Sequence, residues 1–357
     1  MEAQTKEQLK VALLGYGYAG KTFHAPLISC IAGLWLTHVV SSDRAKVEKD
    51  WPGVTVLSTS EEAFANPQID LIVAATPNDT HFDLARRALS AGKHVVVDKP
   101  FTTTVAEASE LVALAANSKR LLSVFQNRRW DADFLTVRRV LSEGRLGEVV
   151  HFESRYDRYR PQVRQRWRER PGPGGGLWYD LGPHLVDQAL QLFGPPETIY
   201  ADFESQRNGA TAVDFFHVLL RYGRKRIILH GGSLVLAETP RFTVHGSSGS
   251  FVKYGLDTQE EALRRGETPG SSGWGHDTHD GTLFSMQDEA LCSTSVPTVL
   301  GNYLTYYEAI RDAVLKGTPN PVPAEDALAV ITVLEVASKS AATGRELPFN
   351  SVPVGTS

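Results

Sequence analysis

Cysteine is scarce in this chain: Cys30 and Cys292 are the only two. Two thiols so far apart supply neither a disulfide framework nor a zinc cluster. Each is expected as a small buried apolar side chain, no bound metal is expected, and zinc alcohol dehydrogenase chemistry is disfavoured because its sites cannot be built. No apolar run approaches the ~20 residues of a membrane span. The opening residues, MEAQTKEQLK, lack the apolar core of a secretory leader. Positive charge is not in excess: 37 Lys and Arg stand against 41 Asp and Glu, a formal net charge of −4. No global pull toward nucleic acid or acidic membranes follows. Repeats and low-complexity tracts are also missing. The expected address is cytoplasmic.

What is present is 357 residues of ordinary globular composition, enough for two domains with separate cores. Runs at 9–17, 36–43, 69–77, 93–100 and 120–127 are short, β-branched and nearly continuously apolar. A parallel sheet covered on both faces requires strands of that kind. Between them lie amphipathic segments such as HFDLARRALSAGK, with apolar Phe82, Ala85, Ala88 and Leu89 and a stop at Gly92. The alternation predicts an α/β Rossmann domain, a doubly wound parallel sheet, over residues 1–126.

After about residue 127 the rhythm changes. EVVHFESRYDRY, ETIYADFESQR, DFFHVLLRYG, KRIILHGGSLVLAE and RFTVHGSSGSFVKYG follow with few helices between them. They predict an α+β domain over 127–357 with a large, mostly antiparallel open sheet. Helices are expected at 302–317 and 324–344, and a polar, glycine-rich loop at 267–281. A sheet of this size leaves one face needing cover.

The first run ends in GYGYAG, residues 15–20. In a dinucleotide site Gly15 allows the sharp turn off the strand. Gly17 lets backbone amides approach a pyrophosphate, and Gly20 lets helix and strand pack closely. Tyr16, Tyr18 and Ala19 complete the turn, whose amides around 18–20 would meet the phosphate. Pro26 cannot sit inside a helix without a kink, so a short turn after Gly20 and a main helix from about Ala25 are expected. The second run ends in Ser41 and Ser42, with Asp43 and Arg44 after it. Two hydroxyls and a guanidinium suit the 2′-phosphate of NADP better than the bare ribose of NAD; NAD stays open. The plainer reading makes Asp43 an N-cap and Arg44 a solvated helix-start residue.

Asp98, Lys99 and Pro100 close the fourth run, at the strand edge where open α/β sheets bind ligands. A cis Lys99–Pro100 bond would fix the lysine's aim; otherwise Lys99 is an exposed loop residue. Further on, GPGGGLWYDLGPHLVDQ places Asp180 and His184 four residues apart. A helix beginning near Leu181 puts both on one face of its first turn. A histidine there suits removal of a hydroxyl proton, and a carboxylate can orient it. Alternatively Asp180 is an N-cap beside a packed histidine.

Together, GxGxxG, Asp-Lys-Pro and the GGG…Asp180-x-x-x-His184 segment resemble the Gfo/Idh/MocA family of nicotinamide-dependent oxidoreductases, over nearly the whole chain. GYGYAGKTFHAPLI, SVFQNRRWDADFLTV and YDLGPHLVDQ are most similar to its NADP-dependent scyllo-inositol 2-dehydrogenase branch. The resemblance implies an NADP-dependent oxidoreductase acting on a secondary alcohol of a cyclic polyol or sugar. It implies that Lys99 stabilises charge on the reacting oxygen, that His184 exchanges its proton, and that Asp180 positions the substrate. It implies that Thr76, Pro77, Asn78 and His81 line the cofactor path beside Asp98, and that Asn127 and Arg128 border the nicotinamide or substrate. It also implies a homodimer or homotetramer through the open sheet. An aldose, anhydrosugar or deoxy-sugar substrate is the alternative, and a non-catalytic dinucleotide-binding regulator is a further one.

The stretch RYDRYRPQVRQRWRERP, residues 155–171, interleaves arginine with aromatics. Such a stretch can bind single-stranded nucleic acid, but no nucleic-acid motif accompanies it. A loop over the substrate cleft is expected, with Tyr159, Arg160 and Trp167 facing polyol hydroxyls.

Overall fold

A computed structural model describes residues 7–164, 169, 170, 172 and 174–351. Strands β1 (Leu9–Leu14), β2 (Leu34–Val40), β3 (Thr55–Leu57), β4 (Leu71–Ala74), β5 (His94–Val97) and β6 (Leu122–Val124) form a parallel sheet. Their order is β3-β2-β1-β4-β5-β6. Chain order reverses between β1 and β4, which opens a crevice at the carboxyl ends of the strands. β4 is buried at every position and β1 at all but one, as expected of strands covered on both faces. The covers are helices α1 (Ala25–Ser29), α2 (Arg44–Asp50), α3 (Ser60–Ala65), α4 (His81–Ser90) and α5 (Val105–Ser118). Thr59 and Thr104 start α3 and α5 with capping boxes to Glu62 and Glu107. The short strand β3 has no counterpart among the sequence runs.

The predicted break around Pro26 is present. Gly20–His24 form one wide π-type turn and α1 follows with Pro26 in its first turn. Cys30 closes α1 and is exposed, and Cys292 is half-buried, so neither is the buried apolar residue expected. Cys30 sits at the C-cap of the short helix, on the side away from the core, while Ile28 and Ile31 on either side of it are buried.

The chain then passes through α6 (Ala132–Ser142) into a nine-stranded sheet. Its strands are β7 (Val149–Arg155), β8 (Thr198–Glu204), β9 (Phe215–Tyr222), β10 (Lys225–Gly232), β11 (Phe242–Gly246), β12 (Gly249–Lys253), β13 (Gly281–Gln287), β14 (Ala290–Val296) and β15 (Leu347–Pro348). The order is β14-β13-β12-β11-β7-β10-β9-β8-β15, antiparallel except for the β7–β10 pair. Burial alternates along β8, β9 and β12. The buried face meets helices α7 (Gly176–Phe193) and α10 (Ala324–Thr343), which has its own packing against α5. The β13–β14 hairpin was hidden in the sequence because its turn residues, Asp288 and Glu289, take positive φ without the glycine or asparagine that usually marks such a turn. Helices α8 (Gln259–Arg264) and α9 (Leu304–Lys316) complete the chain. Among the described residues no helix is long and apolar enough to cross a membrane.

Tyr306 and Tyr307 on α9 pack onto the first domain beside the end of β6. Tyr306 packs on Phe125, and the Tyr307 hydroxyl lies 2.6 Å from His24 Nδ1. The C-terminal helices therefore fold back onto the first domain.

Candidate active site

The glycine turn is built as its spacing requires. Gly15 has φ +92°, and a Cβ there would lie 2.6 Å from the Ala75 carbonyl oxygen. A Cβ on Gly20 would collide with the Gly15 carbonyl. Gly17 is different: nothing lies within 4 Å of where its Cβ would be. Two glycines are needed by the fold, and the third leaves open backbone beside a turn that can cradle a pyrophosphate. The donor set fits a dinucleotide.

Around this turn the predicted contacts sort into two kinds. Tyr16 is buried, and its hydroxyl donates to Asp50 and accepts from the Trp51 indole, so its side chain braces the turn. Burial and the Asp50 carboxylate push that phenol's pKa up. Tyr18 is half-exposed and donates to Glu260 of α8 at 2.8 Å. Ala19 and Gly20 lead into the π-type turn. At the end of β2, Ser41 Oγ accepts from the Asp43 amide and Ser42 is exposed. Asp43 caps α2 by accepting from the Lys46 amide, so the N-cap role holds. Arg44 is exposed, with its guanidinium on Glu48 and the Val56 carbonyl. Lys46 was not anticipated; its amine donates to the Tyr16 carbonyl, which brings a second cation to this turn.

Beyond β4, Thr76 pairs with Thr80 and Pro77 is exposed. Asn78 is buried and donates to the Gly174 carbonyl across the domains. His81 does not face the path: its ring is buried, with one nitrogen on the Pro100 carbonyl and the other on the Thr76 carbonyl. It ties the two strand ends together. Asp98 also faces inward. It accepts from the Lys99 amide and lies 3.8 Å from His24. Burial raises its pKa, but the His24 and Lys99 charges outweigh that and hold it below the ordinary carboxylate range.

Lys99 leaves this turn through a cis peptide to Pro100. Its Nζ donates to the Asp180 carbonyl at 2.8 Å and lies 3.7 Å from Asp180 Oδ1. Residues 81 apart thus meet over the sheet's carboxyl edge. His184 is one helical turn further along the same face of α7 and is 5% exposed. The helix begins at Gly176, five residues before the expected start, so Asp180 is inside it and is not its N-cap. A tertiary bond explains the early start: the Leu177 amide donates to the Val213 carbonyl, and Gly176 adopts φ +80° against Val213.

Buried polar contacts aim α7. Arg129, just after β6, clasps Asp187 through Nε and Nη2 at 2.9 and 2.6 Å. Burial pushes the Asp187 carboxyl up, against the Arg129 charge. Gln188 donates to the Arg128 carbonyl and accepts from Arg241. Asn127 and Arg128 are buried. The Arg128 guanidinium is committed to Asp131 at 3.1 Å and Glu260 at 2.6 Å. Burial raises the Glu260 pKa, yet the Arg128 charge and the Tyr18 hydroxyl hold it below the usual range.

Beyond β7 the arginine stretch runs between two cavities. Arg158 donates to Asp180 Oδ2 at 3.2 Å, a contact the sequence reading missed. Arg158, Arg160, Glu169, Asp180 and Arg207 line a cavity of about 20 Å³. Tyr159 is exposed and does not line it; it borders a wider cleft of about 340 Å³ with Arg155 and Asp157. Trp167 lies outside the described residues.

A dinucleotide turn, a lysine at the sheet's carboxyl edge and an Asp-x-x-x-His helix facing it define a two-domain nicotinamide oxidoreductase. Residues 9–126 match the NAD-binding Rossmann fold of the Gfo/Idh/MocA oxidoreductase family, residues 138–349 match its C-terminal alpha/beta domain, and the chain belongs to that family. It is 55% identical to the uncharacterized oxidoreductase YdgJ of Escherichia coli, over 94% of this chain and 97% of that one. It is 40% identical to the scyllo-inositol 2-dehydrogenase (NADP(+)) IolW of Bacillus subtilis, over 96% of each. The solved structure of the YPO2259 oxidoreductase from Yersinia pestis is 52% identical, with TM-score 0.92, covering 96% of this chain and 97% of that one.

Proposed function

We propose that this oxidoreductase uses NADP to interconvert a secondary alcohol and a ketone on a cyclic polyol, with scyllo-inositol as the alcohol. The observation that carries the reading is the meeting of Lys99 with Asp180, one helical turn from His184, at the sheet edge below the glycine turn. The residues that would hold the dinucleotide are Gly15, Gly17, the 18–20 amides, Ser41, Ser42, Arg44, Thr76 and Pro77. When bound, it supplies the acceptor for the hydride that leaves the carbinol carbon. His184 takes the hydroxyl proton as that bond breaks, and it returns a proton in the reverse direction. Lys99, an ammonium at the same oxygen, stabilises the negative charge that develops there. Asp180 anchors the lysine and offers its carboxylate to a neighbouring ring hydroxyl.

NADP is favoured over NAD because the strand end carries two hydroxyls, Ser41 and Ser42, and the exposed Arg44 guanidinium, whose exposed contact with Glu48 a 2′-phosphate would replace, while the Asp43 carboxylate caps its helix. The 40% identical relative, named for NADP and scyllo-inositol, supports the same choice. A different sugar substrate is the second reading. It is favoured by a relative named 1,5-anhydro-D-fructose reductase, 29% identical over a shorter span, whereas one named inositol 2-dehydrogenase, 30% identical, sides with the cyclic polyol. A non-catalytic regulator would not need Lys99, Asp180 and His184 together. A homodimer or homotetramer through the nine-stranded sheet belongs to the same proposal, supported by exposed Val150, Tyr200, Met286 and Leu291 on its strands.

The test is a rate assay on purified protein, crossing NADP and NAD with scyllo-inositol, myo-inositol, glucose and xylose. Turnover of scyllo-inositol with NADP is the expected result. Dinucleotide binding with no inositol turnover would discard the substrate assignment while leaving the cofactor reading in place.

A further inference from the structure

The reacting cleft contains a cation that the reaction scheme above does not use. Asp180 meets a different cation at each oxygen: Oδ1 lies 3.7 Å from Lys99 Nζ, and Oδ2 accepts from Arg158 Nη2 at 3.2 Å. The three side chains are only 14%, 18% and 17% exposed, so water screens these contacts much less than it screens a surface pair. Arg158 also works from a fixed base. Its amide donates to the Gly232 carbonyl, and its carbonyl accepts from the Val235 amide. Two residues on, the Arg160 amide donates to the Ser233 carbonyl, and the Arg160 carbonyl accepts from Arg207. Arg207 is itself buried between Asp214 and Glu169.

We propose that Arg158 is a positioning residue: it holds Asp180 Oδ2 so that the carboxylate is shared and Lys99 stays aimed at the reacting oxygen. The torsion that turns a carboxylate about its last bond is soft. Without a guanidinium on Oδ2, the group is free to swing, and more of its charge falls on Lys99. The ammonium form of Lys99 is then held more firmly, and its Nζ is drawn toward Asp180 and away from substrate. A lysine at position 158 keeps the charge but loses the planar fork, so it restores only part of the effect.

The proposal rests on the assignment of Lys99 and Asp180 to the cleft, and the experiment has one arm that needs no substrate. In that arm the full-length protein and its R158Q and R158K variants are treated with an amine-arylating reagent at fixed pH. Modification of Lys99 is followed by peptide mass spectrometry. R158Q should be modified about threefold more slowly, since half a unit of proton affinity changes the free-amine fraction by about that factor. R158K should fall between the other two. In the second arm, R158Q should lower kcat about tenfold, as a displaced catalytic group does, while KM for the dinucleotide is unchanged and R158K recovers part of the loss. Equal modification rates in all three proteins overturn the proposal. A raised substrate KM with unchanged kcat also overturns it, since Arg158 would then be a plain binding contact. If no substrate is turned over even by the wild type, the reading of the cleft fails, and the modification rates still decide the role of Arg158.

Discussion

The glycine turn and the Lys99–Asp180 cleft are built in opposite ways. Gly15, Gly17 and Gly20 lie within six residues, and the fit is mostly local: a Cβ on Gly20 would strike Gly15 itself, and only the Gly15 fit reaches further, to the Ala75 carbonyl. The cleft joins a strand end to a helix 81 residues away, and only tertiary contacts hold them in register. Arg129 and Asp187 set where α7 lies, Leu177 and Val213 set where it begins, and Asn78 fastens Gly174 ahead of it. A locally written site survives changes elsewhere in the fold; an assembled one depends on every contact that places its parts.

The largest expected effect separates chemistry from binding. Lys99→Ala or His184→Ala should reduce turnover about a thousandfold, within the range of acid–base catalysis. Fluorescence titration should find dinucleotide binding nearly unchanged. Unchanged turnover in both variants would remove the assignment.

Next is the contact that assembles the cleft. Arg129→Met leaves Asp187 buried without its main cation and should destabilise the protein by about 3–5 kcal/mol. The loss carries a pH signature. Burial already raises the Asp187 pKa in the folded state against the Arg129 charge, and the variant raises it further. Folded Asp187 then binds its proton more tightly than the unfolded chain does, so the penalty is full at neutral pH. The unfolded carboxyl is the same in both proteins, so the penalty shrinks as pH falls through the variant's folded value and stops shrinking at the wild-type folded value, itself above the ordinary carboxylate range. Thermal melts of both proteins at pH 7 and pH 5 check this, and a penalty independent of pH would count against it.

The local site can be split in turn. Gly20→Ala should lower stability by about 3 kcal/mol, since the methyl meets backbone that cannot yield. Gly17→Ala meets open space and should leave the melting temperature alone, while weakening dinucleotide affinity about tenfold or more, or about 1.4 kcal/mol. Equal melting losses in the two variants would erase the difference in their roles. The smallest effect is expected at Arg44. Arg44→Ala should weaken NADP about tenfold through loss of one charged contact and leave NAD almost unchanged. Equal loss for both cofactors would end the 2′-phosphate argument and turn attention to Lys46.

Much of this was readable before any coordinates. The β–α alternation identified the first domain because buried parallel strands leave apolar runs, and the three glycines were readable from their spacing together with their place after the first strand. Lys99, Asp180 and His184 were legible as types in a pattern. Other features were not. Arg158 and Tyr159 are neighbours in a stretch full of arginines and aromatics, and only the folded chain shows that Arg158 reaches Asp180 while Tyr159 stays exposed. Glu260 gave no signal either, because its partners Tyr18 and Arg128 are 242 and 132 residues away.

By itself the sequence determined the fold class, the dinucleotide turn and the residue types at the reacting edge, since periodicity, glycine spacing and strand ends are short-range properties. Tertiary structure alone decided that His81 and Asp98 brace the strand ends, that Tyr16 packs against Asp50 and Trp51, and that Arg158 shares Asp180 with Lys99. Each of those roles depends on which partner stands across a gap in space, and a linear order of residues does not carry that distance.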